Sequence, residues 1–233
     1  MCREAGIANG ETAISTTVSQ TGELNRIVNY VIQAWIEIQN RHQHTGLGWR
    51  WMRVGFTLTT VADQSEYSYD DAAIVDDLTA AAIARFRNWM IKDYDDSPKI
   101  YLTSAGVGTE GWIPYLDWND FKYLYSIGSQ NSGYPAHISI NPQNQIVLGP
   151  TPNAAYTVTG DFMRGAQVFA DNDDVPDLPE AFEDVIMYKA LTKYGLQKNA
   201  VEAITAGEEG FATYIGALEG DQLSEITIGN AMA

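Results

Sequence analysis

Hydrophobic positions follow two different periods along this chain, and the change of period divides it. From Leu24 onward, Leu24, Ile27, Val28, Val31, Trp35 and Ile38 recur three and four residues apart, the spacing of one helix face. Ile32 and Ile36 widen the stripe, so this helix needs neighbours on more than one side. Thr21 precedes it as an N-cap, Glu23 sets a negative charge in its first turn, and the pattern runs to about Gln39.

After Gly48 the period shortens to two. "VGFTLTTV" alternates, with Phe56, Leu58 and Thr60 on one face. Further short strands are predicted in "SEYSYDD", from Arg85 in "AAIARFRNWMIKDY", and in "PKIYLTSA", "PAHISI", "QIVLGP" and "AYTVTGDFM". "NPQN" and "TPNA" supply turn chemistry between the last three. A short helix is predicted in "YLDWNDFKYLYSIG" from the apolar positions Leu116, Phe121, Leu124 and Tyr125.

Helical signals then return. "DLPEAFEDVIMYKALTKYG" carries Pro179 near its start, Glu180, Glu183 and Asp184 early, Lys189 and Lys193 late, and Gly195 at its end. "NAVEAITAGEEGFATYIGALEG" predicts a last helix. Its Gly207, Gly210 and Gly216 each cost about 1 kcal/mol against alanine, so it must lean on neighbours or break near Gly207–Gly210. The predicted fold class is α+β: a small helical bundle of one N-terminal and two C-terminal helices (residues 1–54 and 170–233) with an inserted, mostly antiparallel, sandwich- or barrel-like β region (residues 55–169).

Charge narrows the function. The chain has 233 residues with 14 basic and 30 acidic side chains, a net charge of −16. Residues 171–233 alone carry three basic and thirteen acidic groups. A surface that grips nucleic acid through phosphate needs the opposite sign, so sequence-specific DNA or RNA binding is not expected. Cys2 is the one cysteine, which forbids an internal disulfide and fits a reducing compartment such as the cytoplasm. The first twenty residues lack the apolar core of a signal peptide, and no apolar run approaches the ~20 residues of a bilayer span, so no membrane partner is expected.

Candidate chemistry is sparse. His42 and His44 stand two apart, with His137 remote, which falls short of the three or four convergent ligands of a zinc site. The better reading is a polar loop at a helix end, anchored by Trp49 and Trp51. "GVGTEG" has glycines at 106, 108 and 111 in dinucleotide-fingerprint spacing, but Pro114 follows where a helix should open. "DNDDVPD", from Asp171 to Asp177, offers Pro176 where a calcium loop needs glycine and Phe182 where it needs glutamate. No catalytic residue, metal site or cofactor is expected.

The ordered blocks "CREAGIANG", "SQTGELNRIVNYVIQAWIEIQ", "WRWMRVGFTLTTV", "LDWNDFKYLYS", "GYPAHISI", "QIVLGPTPNAAYTVTGDFMR" and "DVPDLPEAFEDVIMYKALTKYG" resemble the head-to-tail adaptor (neck, or connector) proteins of tailed bacteriophages. They are similar to the tail-tubular adaptor class of short-tailed phages. The segment "NRHQHTGLG" is longer than that pattern, and the pattern implies residues upstream of Arg3, so the start is expected to be truncated or alternative. The resemblance implies a structural protein of the virion neck, made in the host cytoplasm and assembled as a cyclic homo-oligomer, a dodecamer. It would bind the portal protein above and a tail tube or nozzle protein below, with DNA passing through. Subunit or portal contacts are expected at Leu24, Ile27, Val31 and Trp35 on the first helix, and at Leu223, Ile226 and Ile228 in the tail. Two alternatives stay open: another tail or baseplate component, or a nucleotide-binding enzyme using the Gly106–Gly111 loop.

Overall fold

A computed structural model describes residues 16–41, 48–92, 97–128 and 130–223. In chain order the elements are α1 (Gly22–Asn40), β1 (Arg53–Thr59), β2 (Glu66–Tyr67), β3 (Ile74–Asp76), β4 (Asn88–Met90), β5 (Lys99–Leu102), β6 (Gly111–Trp112), α2 (Trp118–Tyr125), β7 (His137–Ile140), β8 (Ile146–Gly149), β9 (Tyr156–Met163), α3 (Asp184–Lys198) and α4 (Val201–Gln222). The fold is α+β, and every ladder between these strands is antiparallel. The chain forms two compact units, Met1–Met52 with Ala166–Ala233, and Arg53–Gly165.

In the helical unit, α3 packs against both α1 and α4. Glu23 at the start of α1 pairs with Lys198 at the end of α3, and Glu37 near the end of α1 pairs with Lys189 and Lys193, so the two helices run antiparallel. These exposed pairs set register more than stability, each contributing about 0–1 kcal/mol. Burial of Ile27, Ala34, Trp35 and Ile38 on α1, and of Val185, Ile186, Ala190 and Leu191 on α3, holds the packing.

Three end signals resolve differently from the sequence expectation. Thr21 occupies the N-cap position in extended conformation, but its side chain makes no capping bond. α3 is preceded by a 3-10 turn over Glu180–Phe182, immediately after Pro179. And α3 continues past Gly195 to Lys198, stopping where Asn199 turns left-handed at φ 52°. Gly195 is instead a contact point: a Cβ there would lie 2.9 Å from the backbone N of Ile204.

α4 is one continuous helix through all three glycines. A Cβ at Gly207 would meet Thr192 Oγ1 at 2.5 Å and the Thr192 backbone N at 2.8 Å. At Gly210 it would lie 2.3 Å from the Tyr188 ring. These glycines let α4 approach α3 backbone to backbone, and packing compensates their poor helix propensity.

The second unit has two sheets sharing one core. The larger runs β3-β1-β9-β5-β6. One edge of β9 pairs with β1 along its whole length, and the other is divided between β5, opposite Tyr156–Thr159, and β4, opposite Asp161–Met163. The smaller runs β2-β8-β7. Phe56, Leu58, Tyr67, Ile100, Ile138, Ile146, Leu148, Val158 and Phe162 come from both sheets into a single cluster. The alternation read in "VGFTLTTV" holds, since Phe56, Leu58 and Thr60 are all buried. The strand predicted from Arg85 shortens to Asn88–Met90, where Trp89 packs edge-on to Phe56 at 4.8 Å. Its indole N–H donates to the carbonyl of Asn144 in the β7–β8 turn. Asn141 shapes that turn, its Oδ1 accepting from the N–H groups of Gln143 and Gln145.

Candidate functional site

On one flank of α1 a buried polar network fixes the segment after residue 166. The Gln39 side chain donates to the Gln167 carbonyl at 3.0 Å and accepts from the Gln167 N–H at 2.7 Å, as a strand partner would. The Gln167 side chain accepts in turn from the Trp35 indole N–H at 3.1 Å and from the Asp177 N–H. Trp35 then stacks on Phe169, with ring centroids 6.0 Å apart. Beside this stack lies an open cleft of about 370 Å³, floored by Val28, Val31, Ile32 and Phe169 and rimmed by Asp171 and Asp174.

The rim is built from the acidic loop. Hydrogen bonds from the backbone N–H of Asp171 and of Ala170 hold the Asp174 carboxyl below its usual range. Asn172 Oδ1 accepts from the Thr17 N–H at 2.6 Å and the Thr17 hydroxyl at 2.8 Å, tying residues 16 and 17 to the loop. Asp174 thus bonds the loop's own backbone, and Asn172 bonds this strap.

Of the expected contact residues, the structure gives Ile27 and Trp35 to the interior of the helical unit, where α3 and Phe169 cover them; Trp35 is wholly inaccessible. A broad helical stripe looks alike in sequence whether its own chain or another covers it. Leu24 and Val31 remain half-buried, as does Leu223 just beyond α4. Ile226 and Ile228 lie outside the described residues. Leu196 and Val201, which pattern reading did not single out, are exposed at the α3–α4 corner.

In the second unit, α2 is apolar on two sides. Phe121 and Tyr125 lie over Gly149 of β8, where a Cβ would come within 2.5 Å of the Tyr125 ring. The Tyr125 hydroxyl hydrogen-bonds His137 Nδ1 at 2.7 Å, and burial raises the pKa of this tyrosine. The other side is open: Tyr123 is 75% exposed, Leu124 48% and Ile127 62%. Leu124, one of the apolar positions from which this helix was predicted, therefore lies on the solvent side. Eight residues containing Trp118, Phe121, Tyr123, Leu124 and Tyr125 hold more apolar side chains than one face can bury, which was the available signal.

A separate groove of about 280 Å³ on the larger sheet is charged instead. Arg53 pairs with Asp161, Lys99 pairs with Glu110 at 3.3 Å, and Lys99 also lies over the ring of Trp112, itself 65% exposed. Its cations are already matched by carboxylates.

Gly106 has φ 71° and leads into a 3-10 turn over Val107–Thr109, followed by the edge strand β6. The loop thus opens no α-helix, and Glu110 within it would repel phosphate. His42 and His44 lie outside the described residues. Trp49 beyond them is buried, donates to the Ile38 carbonyl at 2.8 Å and stacks on Trp51. Among the described residues no cluster of three or more His, Cys, Asp or Glu could hold a metal, and no helix is long and apolar enough to cross a membrane. Residues 10–230 match the sequence profile of the SU10 adaptor protein family. None of the curated proteins compared matches the chain.

Proposed function

The chain belongs to the SU10 adaptor protein family, and from that premise we propose that it is a virion protein whose copies close into a ring, a dodecamer, between the capsid portal and the tail. The observation that carries this reading is the family match along nearly the whole chain. Phage adaptors of this kind are structural, and two features of the chain fit that role.

First, large apolar side chains stand exposed in both units. Leu196 and Val201 mark the helical one, and Tyr123, Leu124 and Ile127 the β-rich one. A head-to-tail ring joins different faces of one subunit, so it needs two such surfaces. Permanent interfaces are large and rather apolar. Leu24, Val31 and Leu223, half-buried in the single subunit, are further candidate contacts, as are Ile226 and Ile228 from the sequence. Second, the net charge of −16 disfavours lasting phosphate contacts. A ring of this charge repels duplex DNA and leaves it mobile, whereas a basic ring would hold it. The portal lies above and the tail tube or nozzle below.

The test is assembly. Purified chain alone is expected to sediment as a monomer or a weak oligomer. Mixed with portal particles, it should add a collar visible in negative stain. Portal particles that gain no density would overturn the proposal.

A further inference from the structure

We propose that a small pocket beside α2 receives the cationic head of a lysine or arginine side chain from another protein. The pocket holds about 80 Å³. That is room for two or three waters at about 30 Å³ each, or for one ammonium or guanidinium group, and too little for a larger ligand.

Three observations give it this chemistry. The first is an aromatic wall. Trp118, Phe121 and Tyr125 line the pocket, with Trp118 stacked on Phe121 at 5.9 Å and Phe121 tilted to Tyr125 at 4.9 Å. Aromatic rings attract a cation over their faces, and clustered rings are receptors for ammonium groups. Lys122 already lies over the Trp118 ring at 5.8 Å, though it does not line the pocket. The second is a carboxylate. Glu66 on β2 also lines the pocket, and among the described residues no cation pairs with it. Register puts it there: Glu66 stands opposite Val147 on the face of the small sheet that α2 covers, while Tyr67 turns into the core. The nearby charges agree in sign, since α2 and its N-cap carry Asp117 and Asp120 against Lys122 alone. The third is a pair of neutral acceptors. The Gln130 Nε2 is engaged by the Ile127 carbonyl, which leaves its Oε1, with the Ser126 hydroxyl, to accept from an incoming N–H group.

The chain itself is a poor source of that cation. Arg41, Arg53, Lys99, Lys193 and Lys198 already pair with its own carboxylates, and its net charge is −16. A protein with a more basic surface is the complementary partner. That this protein is a neighbour in the virion rests on the family reading above; the preference of the pocket for a cation does not.

The experiment titrates the isotopically labelled, monomeric full chain by NMR with a blocked Gly-Arg-Gly peptide. A second peptide carries citrulline, the uncharged counterpart of arginine. The arginine peptide should move the Trp118 indole N–H signal, identified by its loss in Trp118→Phe, and saturate in the millimolar range. The citrulline peptide should bind about tenfold more weakly or not at all. Glu66→Gln should weaken the arginine peptide about threefold or more, while Glu209→Gln, the same charge removed from α4, should leave it unchanged. A Trp118 signal that stays still, equal shifts from the citrulline peptide, or full binding by Glu66→Gln overturns the proposal. So does binding that emerges only after Lys122→Met, which would make Lys122 the native occupant. A change in the sedimentation of the chain alone on Glu66→Gln would assign the pocket to a second copy and overturn the choice of partner. Portal particles enter none of these measurements, so the pocket can fail while the collar forms, and the reverse also holds.

Discussion

Ser139 lies in β7 with no accessible surface, and its hydroxyl has no hydrogen-bond partner among the described residues. A buried hydroxyl without a partner costs about 1–3 kcal/mol of desolvation. Ser139→Ala removes that cost and leaves only a small void. It should raise the free energy of unfolding by about 1 kcal/mol, read as a higher denaturant midpoint at unchanged slope. A lower midpoint would show that the hydroxyl is satisfied. Pattern reading could not find this site. "HISI" alternates, so Ser139 should face water when Ile138 faces the core. It is buried because α2 packs against β7. The same limit applies to Trp35 and Ile27: their side chains announce burial, but not which chain buries them. Gln39 was legible only as the end of a stripe. Its value as a backbone-like partner depends on Gln167, more than a hundred residues away.

At the scale of elements, the glycines of α4 carry opposite predictions within one helix. Glycine in a helix interior is worse than alanine by about 1 kcal/mol, so replacement should stabilise wherever there is room. Nothing lies within 4 Å of a Cβ at Gly216. Gly216→Ala should therefore stabilise by about 0.5–1 kcal/mol. At Gly207 the new methyl would meet Thr192 backbone N at 2.8 Å and Tyr188 O at 3.0 Å, groups that cannot swing aside. Gly207→Ala should destabilise by about 1–3 kcal/mol, the cost of overpacking net of the propensity gain. Paired chemical denaturation decides it, and equal signs for the two variants would refute the close approach of α3 and α4. The sequence allowed either a supported helix or a break near Gly207–Gly210. What separates them is Tyr188 and Thr192 on α3, invisible to any local window. Elements with strong periodicity, α1 and β1, were legible with nearly their observed bounds. Ends were less so: Gly195 resembles a stop signal, yet it serves as a helix contact, and Asn199 ends the helix. Pro114 argued against a helix after the glycine loop, and a 3-10 turn over Val107–Thr109 and then β6 follow Gly106 instead.

For the whole molecule, the decisive question is which exposed apolar groups belong to an assembly surface. Single exposed apolar residues are ordinary; a contiguous group is not. Tyr123, Leu124 and Ile127 share the outer side of one short helix and its exit, whereas Val107, 70% exposed, lies on the glycine loop. In a free subunit, Tyr123→Asp with Ile127→Asp replaces solvated side chains by solvated carboxylates. The unfolding free energy should stay within about 0.5 kcal/mol of the original. If the ring or its portal contact covers α2, the same carboxylates become buried without partners. At a cost of at least about 3 kcal/mol, association weakens about a hundredfold or more. Val107→Asp adds the same charge outside the group and should assemble like the unsubstituted chain, which separates burial from a general rise in negative charge. Sedimentation of each variant with and without portal particles reads both outcomes. Full collar formation by the Tyr123→Asp, Ile127→Asp chain would remove α2 from the interface and leave the helical-unit residues Leu24, Leu196 and Val201 as the surfaces to test.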